Sequence, residues 1–334
     1  PVVWMGRYLD RVGRRIAPLS PRLPPPSAAS KARCFALGAL GWCGGAALVV
    51  AAAIGLEHAI TTLPAAGQVI AAGLLLKPLL AWRMLRDEVR EVEAALSVSL
   101  EAGRARLGRL VSRDTSRLDA QAVRESAIES LAENLNDSLV APVFWFVLLG
   151  LPGAALYRWA NTADAMWGYR GERNGRDWTW AGKWAARADD ALSWIPARIT
   201  GLLIALVPWP THSADRARPK PLRHFPWRRW RREARRTPSP NGGWPMAAMA
   251  LRLGVRLGKP GVYLLNPEGR ALPAHGTATA IAIARRVVWA TAFGAVGMSA
   301  AACWMDLLPC VGWVRGLVSI GEFVNDCCQY ISAP

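Results

Sequence analysis

Acidic residues at helical spacing mark the middle of the chain. A carboxylate recurs at every fourth position, at Glu125, Glu129, Glu133 and Asp137. On a helix, this spacing places the four carboxylates along one face, where neighbouring charges repel each other unless lysine or arginine is interleaved. The pattern therefore predicts a cation against this face, with Mg²⁺ as the first candidate because it takes carboxylate and phosphate oxygens together. An ordinary exposed face is the alternative.

The same stretch carries an apolar face that would position these carboxylates. Apolar residues recur at the same interval, two residues away, at Val123, Ala127, Leu131 and Leu135. At about 100° per residue they lie almost opposite the acidic stripe. Asp119 is placed to cap the start of this helix. Glu125 is interpreted as solvated or capping because it is nearest the helix start, whereas Glu129, Glu133 and Asp137 are predicted metal ligands.

Three further polar clusters lie beside or within apolar sequence, where unpaired polar groups are costly. Their chemistry-bearing members are Asn161, Asp164, Tyr169 and Arg170 in the first, Asp189, Asp190 and Arg198 in the second, and Asn241, Gly242 and Gly243 in the SPNGGWP motif of the third. The first cluster could instead cap a helix, the second could form an internal ion pair, and the third could be only a turn. Together they predict a site for phosphate, metal and a carboxylate substrate.

Several common catalytic motifs are absent from the sequence. No GxxxxGK[ST] is present, so a bound nucleotide is not held by a P-loop. The four histidines are isolated, which argues against a zinc hydrolase, and no GxSxG elbow is found.

Composition indicates a membrane protein. Of the 334 residues, 52% are hydrophobic, and the formal net charge is +17. Apolar runs at 35–56, 65–82 and 287–309 approach or exceed the length of a crossing helix. The basic residues flank the apolar runs, which is the positive-inside pattern, and this explains the charge without a nucleic-acid partner.

Two other apolar stretches contain proline and are predicted to be interrupted. Residues 139–156 contain Pro142 and Pro152, and residues 191–208 contain Pro196 and Arg198. Because the basic segments that follow them are expected on the cytoplasmic side, both stretches are interpreted as re-entrant or half-inserted. The predicted fold is therefore an all-α, polytopic integral membrane helical protein with cytoplasmic-side helices and re-entrant or broken helices.

The chain divides into six predicted segments. They are an interfacial N-terminal segment (1–34), a transmembrane hairpin (35–82), a cytoplasmic helical region with the acidic stripe (83–138), broken membrane segments with polar clusters (139–210), a basic loop with the SPNGGWP motif (211–280), and a C-terminal transmembrane helix and tail (281–334).

At these motifs the chain resembles the adenosylcobinamide-phosphate synthase family, CobD/CbiB, of cobalamin biosynthesis. The matching blocks occur in the family's order and cover nearly the whole chain, at residues 1–11, 112–119, 129–142, 157–170, 187–200 and 239–263. The family usually opens with a further apolar helix ahead of the first block, so a truncated chain is expected. The ESLAEN block also departs from the family at Leu135 and Asn136, where a smaller residue is common.

The resemblance implies an enzyme of the bacterial inner membrane, with its active site facing the cytoplasm. Such an enzyme joins aminopropanol or its O-phosphate to a propionate carboxyl of the corrinoid adenosylcobyric acid, using ATP and Mg²⁺. Association with other late cobalamin-pathway enzymes is also implied. A non-catalytic sensor or assembly protein similar to AmpE is the alternative.

The candidate site residues take roles within this implied chemistry. Metal ligands are expected at Glu129, Glu133, Asp137, Asp164 and Asp189. Cofactor contacts are expected at Asn161, Asp164, Tyr169, Asn241, Gly242 and Gly243. Catalytic roles are expected for Asp114, Glu133, Asn134, Asp190, Arg170 and Arg198, in which the arginines neutralise developing charge and Asp114 or Asp190 accepts the amine proton.

Overall fold

The computed structural model of this chain describes residues 1–20, 27–209, 225–273 and 276–304, with side chains as far as Met298. Its described residues form helices α1 to α11: Val2–Ile16, Ala28–Ile60, Ala65–Leu76, Trp82–Val98, Leu100–Leu107, Ala120–Leu135, Ala141–Trp167, Lys183–Leu206, Trp227–Ala234, Gly243–Leu253 and Gly276–Trp304. Four short strands form two antiparallel hairpins, β1 (Glu172–Arg173) with β2 (Arg176–Asp177), and β3 (Leu257–Lys259) with β4 (Tyr263–Leu265).

Four helical stretches are long and apolar enough to cross a bilayer: Ala28–Ile60, Ala65–Val98, Ala120–Trp167 and Gly276–Met298. An all-α polytopic membrane fold is therefore confirmed. The C-terminal helix starts at Gly276, earlier than the predicted run at 287–309, whose end lies outside the described residues. Hydropathy locates the centre of a membrane helix better than its ends, because polar residues can extend the helix beyond the apolar run.

The predicted interruption of the apolar stretch after the acidic helix is confirmed at Gly150. This residue has φ 66° and ψ −157° inside α7, a backbone geometry that favours glycine. The backbone N–H of Leu151, on the far side of the break, donates to Glu57 Oε1 at 3.4 Å. A carboxylate on α2 therefore satisfies a donor that the broken helix leaves open.

Pro196 removes a hydrogen bond within α8, and the structure compensates for the loss. A proline cannot donate to the carbonyl four residues earlier, which is that of Leu192. This carbonyl instead accepts the indole N–H of Trp145 at 3.0 Å. A re-entrant path for either stretch stays a prediction.

The chain folds into two compact units. Within the described residues, the first comprises 1–80, 142–192 and 293–304, and the second comprises 81–141 and 193–292. In the first unit, α1 and α2 pack together, and the aromatic core includes Tyr157, Trp159 and Trp167, all 1% exposed or less.

Helix α6, which carries the acidic stripe, is the centre of the second unit. It packs against α4, α5, α10 and strand β3. The predicted cap is confirmed, because Asp119 Oδ1 accepts the N–H of Ala122 at 2.7 Å. The predicted apolar face is also confirmed: Val123, Ala127, Leu131 and Leu135 are 1% exposed or less.

Two expectations about connecting segments are wrong. The arginine-rich stretch before the SPNGGWP motif is predicted to be a loop, yet Trp227–Ala234 forms helix α9. The indole of Trp230 on this helix is buried. The segment predicted as a basic loop with the SPNGGWP motif (211–280) also contains the β3–β4 hairpin. Both elements are stabilised by packing within the second unit, which local polarity does not reveal. The preceding basic residues 210–224 lie outside the described residues.

Candidate functional site

The acidic stripe of α6 is largely buried. Glu125 is 7% exposed and Glu129 is 4% exposed, whereas Glu133 and Asp137 are half-buried. The alternative of an ordinary exposed face is therefore wrong for the first half of the stripe. The interpretation of Glu125 as solvated is wrong too, since its Oε1 accepts from Gln121 Nε2 at 2.7 Å and lies 3.9 Å from the Arg256 guanidinium.

Glu129 faces an arginine from the loop before α6. Its Oε2 lies 3.4 Å from Arg113 Nη2, which also donates to the Ser126 hydroxyl on α6. Among the described residues, nothing donates a hydrogen bond of good geometry to the buried Glu129 Oε1. Since an ionised carboxylate is costly to bury, Arg113 provides the main compensation for this charge.

Tyr263 on β4 is the second group near Glu129. Burial raises the pKa of the Tyr263 hydroxyl far above its ordinary value, and the carboxylates of Glu129 and Glu133 raise it further. The hydroxyl is therefore a neutral donor at any physiological pH. It interacts with the Glu129 carboxylate and lies 3.7 Å from Met246 Sδ. Such a phenol can donate to a ligand without losing its own proton.

A buried polar network anchors the β3–β4 hairpin that carries Tyr263. Glu233 on α9 is 0% exposed, and its Oε2 accepts the backbone N–H of Asn266 at 2.8 Å. The Asn266 side chain donates to the Val255 carbonyl at 2.8 Å and accepts from Arg229 at 2.6 Å. Asn266 has φ 49°, a left-handed conformation that asparagine tolerates better than most residues.

The SPNGGWP motif forms a tight turn against Glu133. The Ser239 hydroxyl accepts the backbone N–H groups of Asn241 and Gly242, at 3.2 and 3.1 Å. A Cβ on Gly242 would lie 2.7 Å from Glu133 Oε1, so a larger residue there would require this carboxylate to shift. At Gly243, a Cβ would lie 2.0 Å from the Ala234 carbonyl oxygen. Both glycines therefore allow the close approach that the motif predicts.

Arg198 joins α8 to this turn. Its Nη1 donates to Asn241 Oδ1 at 3.2 Å, and its guanidinium lies 3.9 Å from the Trp194 ring and 4.7 Å from the Trp244 ring. Burial lowers its pKa from the ordinary value, although arginine stays charged. The two indoles fix the position of a cation within the second unit.

The end of the acidic stripe lies on a π-helical turn, Asn136–Val140, which joins α6 to α7. Such turns are rare in proteins, and those that do occur are often found at functional sites. Asn136 Oδ1 accepts from Thr200 at 3.1 Å, and Asn136 Nδ2 donates to Asp137 Oδ1 at 2.8 Å. Asn134 Nδ2 donates to the Ser130 carbonyl within α6 at 2.9 Å, and its side-chain oxygen is able to accept a hydrogen bond from a substrate.

The first unit holds a separate set of predicted site residues. Asn161 Nδ2 lies 3.5 Å from Asp189 Oδ1, which brings α7 and α8 together at a polar contact. Burial raises the pKa of Asp190, and the nearby Arg170 guanidinium opposes that shift. A Cβ on Gly168 would lie 2.0 Å from Asp164 Oδ1.

The remaining two predicted residues have local contacts. The Tyr169 hydroxyl donates to the Ala165 carbonyl at 3.0 Å. Asp114 is exposed, and the backbone N–H of Ser116 donates to it at 2.9 Å. That hydrogen bond lowers the pKa of Asp114. A lowered pKa makes Asp114 a weaker base than Asp190.

The described residues contain no group of three or more histidine, cysteine or acidic side chains arranged to hold a metal ion. Mg²⁺ usually takes one or two protein carboxylates and completes its shell with water and substrate phosphates. Glu133 and Asp137, one turn apart and half-buried, fit this requirement. Glu129 fits it less well because Arg113 already balances its charge.

Sequence reasoning missed Arg113, Thr200 and Tyr263. Each lies inside one of the matching sequence blocks, but its residue type alone does not distinguish it from a structural residue. The signal that could have identified these three residues is their position within the matching blocks. The pairing of Arg113 with Glu129 and the approach of Tyr263 to the stripe depend on chain packing, which the blocks alone do not reveal.

Comparison with known proteins places the chain in a sequence family. The profile of the family described as CobD/Cbib protein matches residues 1–290. A relative from Brucella melitensis, named cobalamin biosynthesis protein CobD, is 39% identical over 83% of this chain and 79% of its own length. One from Chromobacterium violaceum with the same name is 39% identical over 77% of this chain and 74% of its length.

An archaeal relative is more similar over a shorter region. The Methanothermobacter thermautotrophicus protein, named probable cobalamin biosynthesis protein CobD, is 44% identical over 59% of this chain. That alignment spans 62% of the relative's own length, which is less than two thirds. No solved structure gives a significant match to the chain.

Proposed function

Because this chain belongs to the CobD/Cbib protein family of cobalamin biosynthesis, we propose that it is the amide-forming adenosylcobinamide-phosphate synthase. The substrates would be adenosylcobyric acid, aminopropanol or its O-phosphate, and ATP. The observation that carries this proposal is the buried acidic face of α6, which meets Arg113, Tyr263 and the glycine turn at residues 242–243. A purely structural helix would not need so many buried charges, which are costly without strong compensation.

The chemistry requires activation of a carboxylate. A propionate oxygen would attack the γ-phosphorus of ATP, releasing ADP and forming an acyl phosphate. The amine would then attack the acyl carbon, and phosphate would leave with one of the original carboxylate oxygens. The net products are the amide, ADP, phosphate and a proton.

Residues of each unit would serve different parts of this reaction. In the second unit, Glu133 and Asp137 would hold Mg²⁺, which when bound would neutralise phosphate charge. Arg198, fixed by its two indoles, would stabilise negative charge that develops in the transition state. Asn134 would orient the substrate through its side-chain oxygen.

In the first unit, Asp190 is preferred over Asp114 as the base for the amine proton. Its raised pKa brings it closer to the value that suits a base near neutral pH. Arg170 would hold the negative charge of Asp190 or of a substrate phosphate, and Asn161 with Asp189 would position the substrate. Asp164 would be a further metal ligand.

An oxygen-transfer experiment tests the proposal directly. Membranes containing the protein are given adenosylcobyric acid labelled with ¹⁸O in its carboxyl group, together with ATP, Mg²⁺ and aminopropanol phosphate. We expect amide product, ADP and one ¹⁸O atom in the released phosphate. Repeating the assay with aminopropanol distinguishes the two amine substrates. Release of AMP, or phosphate without label, would exclude the acyl phosphate, whereas no ATP-dependent product would favour a non-catalytic role.

Glu133→Gln is the most informative variant for this assay. We expect turnover to fall by about a hundredfold or more, as when an important electrostatic contact is lost in other enzymes. Glu91→Gln is the matched control because it removes an exposed carboxylate from α4, and its turnover should be unchanged. Equal turnover in wild type and Glu133→Gln would remove the acidic stripe from the mechanism.

A further inference from the structure

A charged pocket lies in the first unit, and none of its lining residues was assigned a role above. Its volume is about 280 Å³. Helix α1 and the β1–β2 hairpin supply its charged residues, and the end of α7 supplies part of its wall. The lining residues are Leu9, Asp10, Arg14, Met166, Trp167, Arg173, Asn174, Arg176 and Trp178.

The hairpin turn brings two arginines into this pocket. Asn174 and Gly175 have φ values of 52° and 70°, which is the pattern of a two-residue type I′ turn. The register places Arg173 directly opposite Arg176. Directly opposite residues share one face of a hairpin, and like charges in such a pair are destabilising. The acidic neighbours Glu172 and Asp177 form the next pair, so strand alternation puts them on the other face.

The charges that line the pocket do not balance. Three arginines face one aspartate, and Asp10 already pairs with Arg14 at 2.7 Å. Arg176 Nη1 donates to the Ala17 carbonyl at 2.6 Å, which fixes the guanidinium but leaves its charge uncompensated. The lining therefore carries an excess of two positive charges.

Arg173 supplies a buried donor that lacks an acceptor. Its guanidinium lies 3.8 Å from the centre of the Tyr169 ring, and this stacking contact uses none of its N–H groups. Its Nη1 atom is buried, and no acceptor within the described ranges takes a hydrogen bond from it. A buried donor left unpaired is costly, so an acceptor that enters the pocket would be favoured.

The opposite wall of the pocket is aromatic and apolar. The indoles of Trp167 and Trp178 are stacked at 6.1 Å with 20° between their planes, and Trp167 Nε1 donates to the Leu9 carbonyl at 3.1 Å. The pocket therefore combines an arginine rim with a rigid apolar wall. This combination suits an anion that carries a small organic group.

We propose that the arginine pocket formed by α1, the end of α7 and the β1–β2 hairpin binds the phosphate group of a small phosphate ester. The phosphate oxygens accept from Arg173 and Arg14, and the organic part lies against the indole pair. A free phosphate ester and the headgroup of an anionic lipid present the same chemistry. None of the lining residues takes part in the amide-forming reaction proposed above, and the test of this site does not depend on that reaction.

Titration of the full chain with inorganic phosphate tests this site. The protein is held in nanodiscs of phosphatidylcholine, and binding is followed by calorimetry. We expect saturable binding that Arg173→Gln weakens at least about tenfold, because a charge-assisted hydrogen bond is lost. Arg15→Gln is the matched control, because this substitution removes the same charge outside the pocket. Arg15 is exposed and lies next to Arg14 on α1. The substitution should change the affinity less than about twofold, as expected for a screened surface charge.

A second variant and a second lipid complete the test. Arg14→Gln, at an exposed position on α1, replaces Arg173→Gln if the latter does not fold. In phosphatidylglycerol nanodiscs, unchanged phosphate binding identifies a free ester as the ligand, whereas displacement of phosphate identifies a lipid headgroup. No saturable binding in phosphatidylcholine, or an equal loss in Arg15→Gln and the pocket variant, would overturn the proposal.

Discussion

Helices α4 and α6 both carry carboxylates at helical spacing, yet their surroundings differ. On α4, Asp87 pairs with Arg86 at 2.7 Å, and Glu88 and Glu91 pair with Arg106 on α5, which directly follows α4. On α6, Glu125 and Glu129 are buried, and the charged partner of Glu129 comes from a different loop. The paired carboxylates of α4 are thus partly or largely exposed, whereas Glu125 and Glu129 of α6 are buried, where an ionised carboxylate is costly.

The difference teaches how to separate a solvated acidic face from a functional one. Arginines within and just after α4 predict local ion pairs, and exposed pairs of this kind contribute little to stability. Helix α6 has only Arg124 among its carboxylates, and this side chain instead binds Glu93 of α4 at 2.8 Å. An acidic stripe that is buried, with few cations interleaved among its carboxylates, is therefore the better candidate for a site.

Replacing Glu129 should have the largest effect on stability. Glu129→Ala leaves Arg113 partly buried without its carboxylate, so we expect the free energy of unfolding to fall by about 3 kcal/mol. Thermal unfolding of the purified protein in detergent measures this. Glu91→Ala is the control on α4, where the side chain is 56% exposed. A similar loss in both variants would erase the proposed distinction between the helices.

A methyl group at the glycine turn should have an intermediate effect. In Gly242→Ala the new Cβ displaces Glu133 Oε1, from which it would otherwise lie 2.7 Å away. We expect about tenfold lower amide-forming activity, since a small misplacement of a reacting or binding group slows catalysis strongly. Gly55→Ala provides the control because a Cβ there meets nothing within 4 Å. Full activity in Gly242→Ala would show that the position of Glu133 is unimportant.

The smallest effect is expected on α4. Glu91→Gln should lower stability by less than about 1 kcal/mol, because the Glu91 side chain is 56% exposed and Arg106 keeps Glu88 at 2.9 Å. The difference from wild type should shrink further at high salt, which screens exposed charges. Unfolding at low and high salt measures both effects. A larger loss that salt does not reduce would mean that α4 is as dependent on its carboxylates as α6.

Local sequence determined much of this protein. Apolar runs predicted the membrane helices, and Asp119 predicted the start of α6. The prolines of one apolar stretch predicted an interruption, which lies at Gly150. These features depend on interactions between residues a few positions apart, so periodicity and hydropathy report them directly. The motif blocks predicted the family in the same way, because each is a continuous stretch of chain.

Only the tertiary structure decided how the acidic stripe is surrounded. Burial of Glu125, pairing of Glu129 with Arg113, and the approach of Tyr263 each bring together residues from separate elements. The spacing of carboxylates on α6 predicts one charged face, but it does not predict what covers that face. Burial and partner choice depend on long-range packing, in which distant segments share one core, and the spacing of residues along a single helix does not record it.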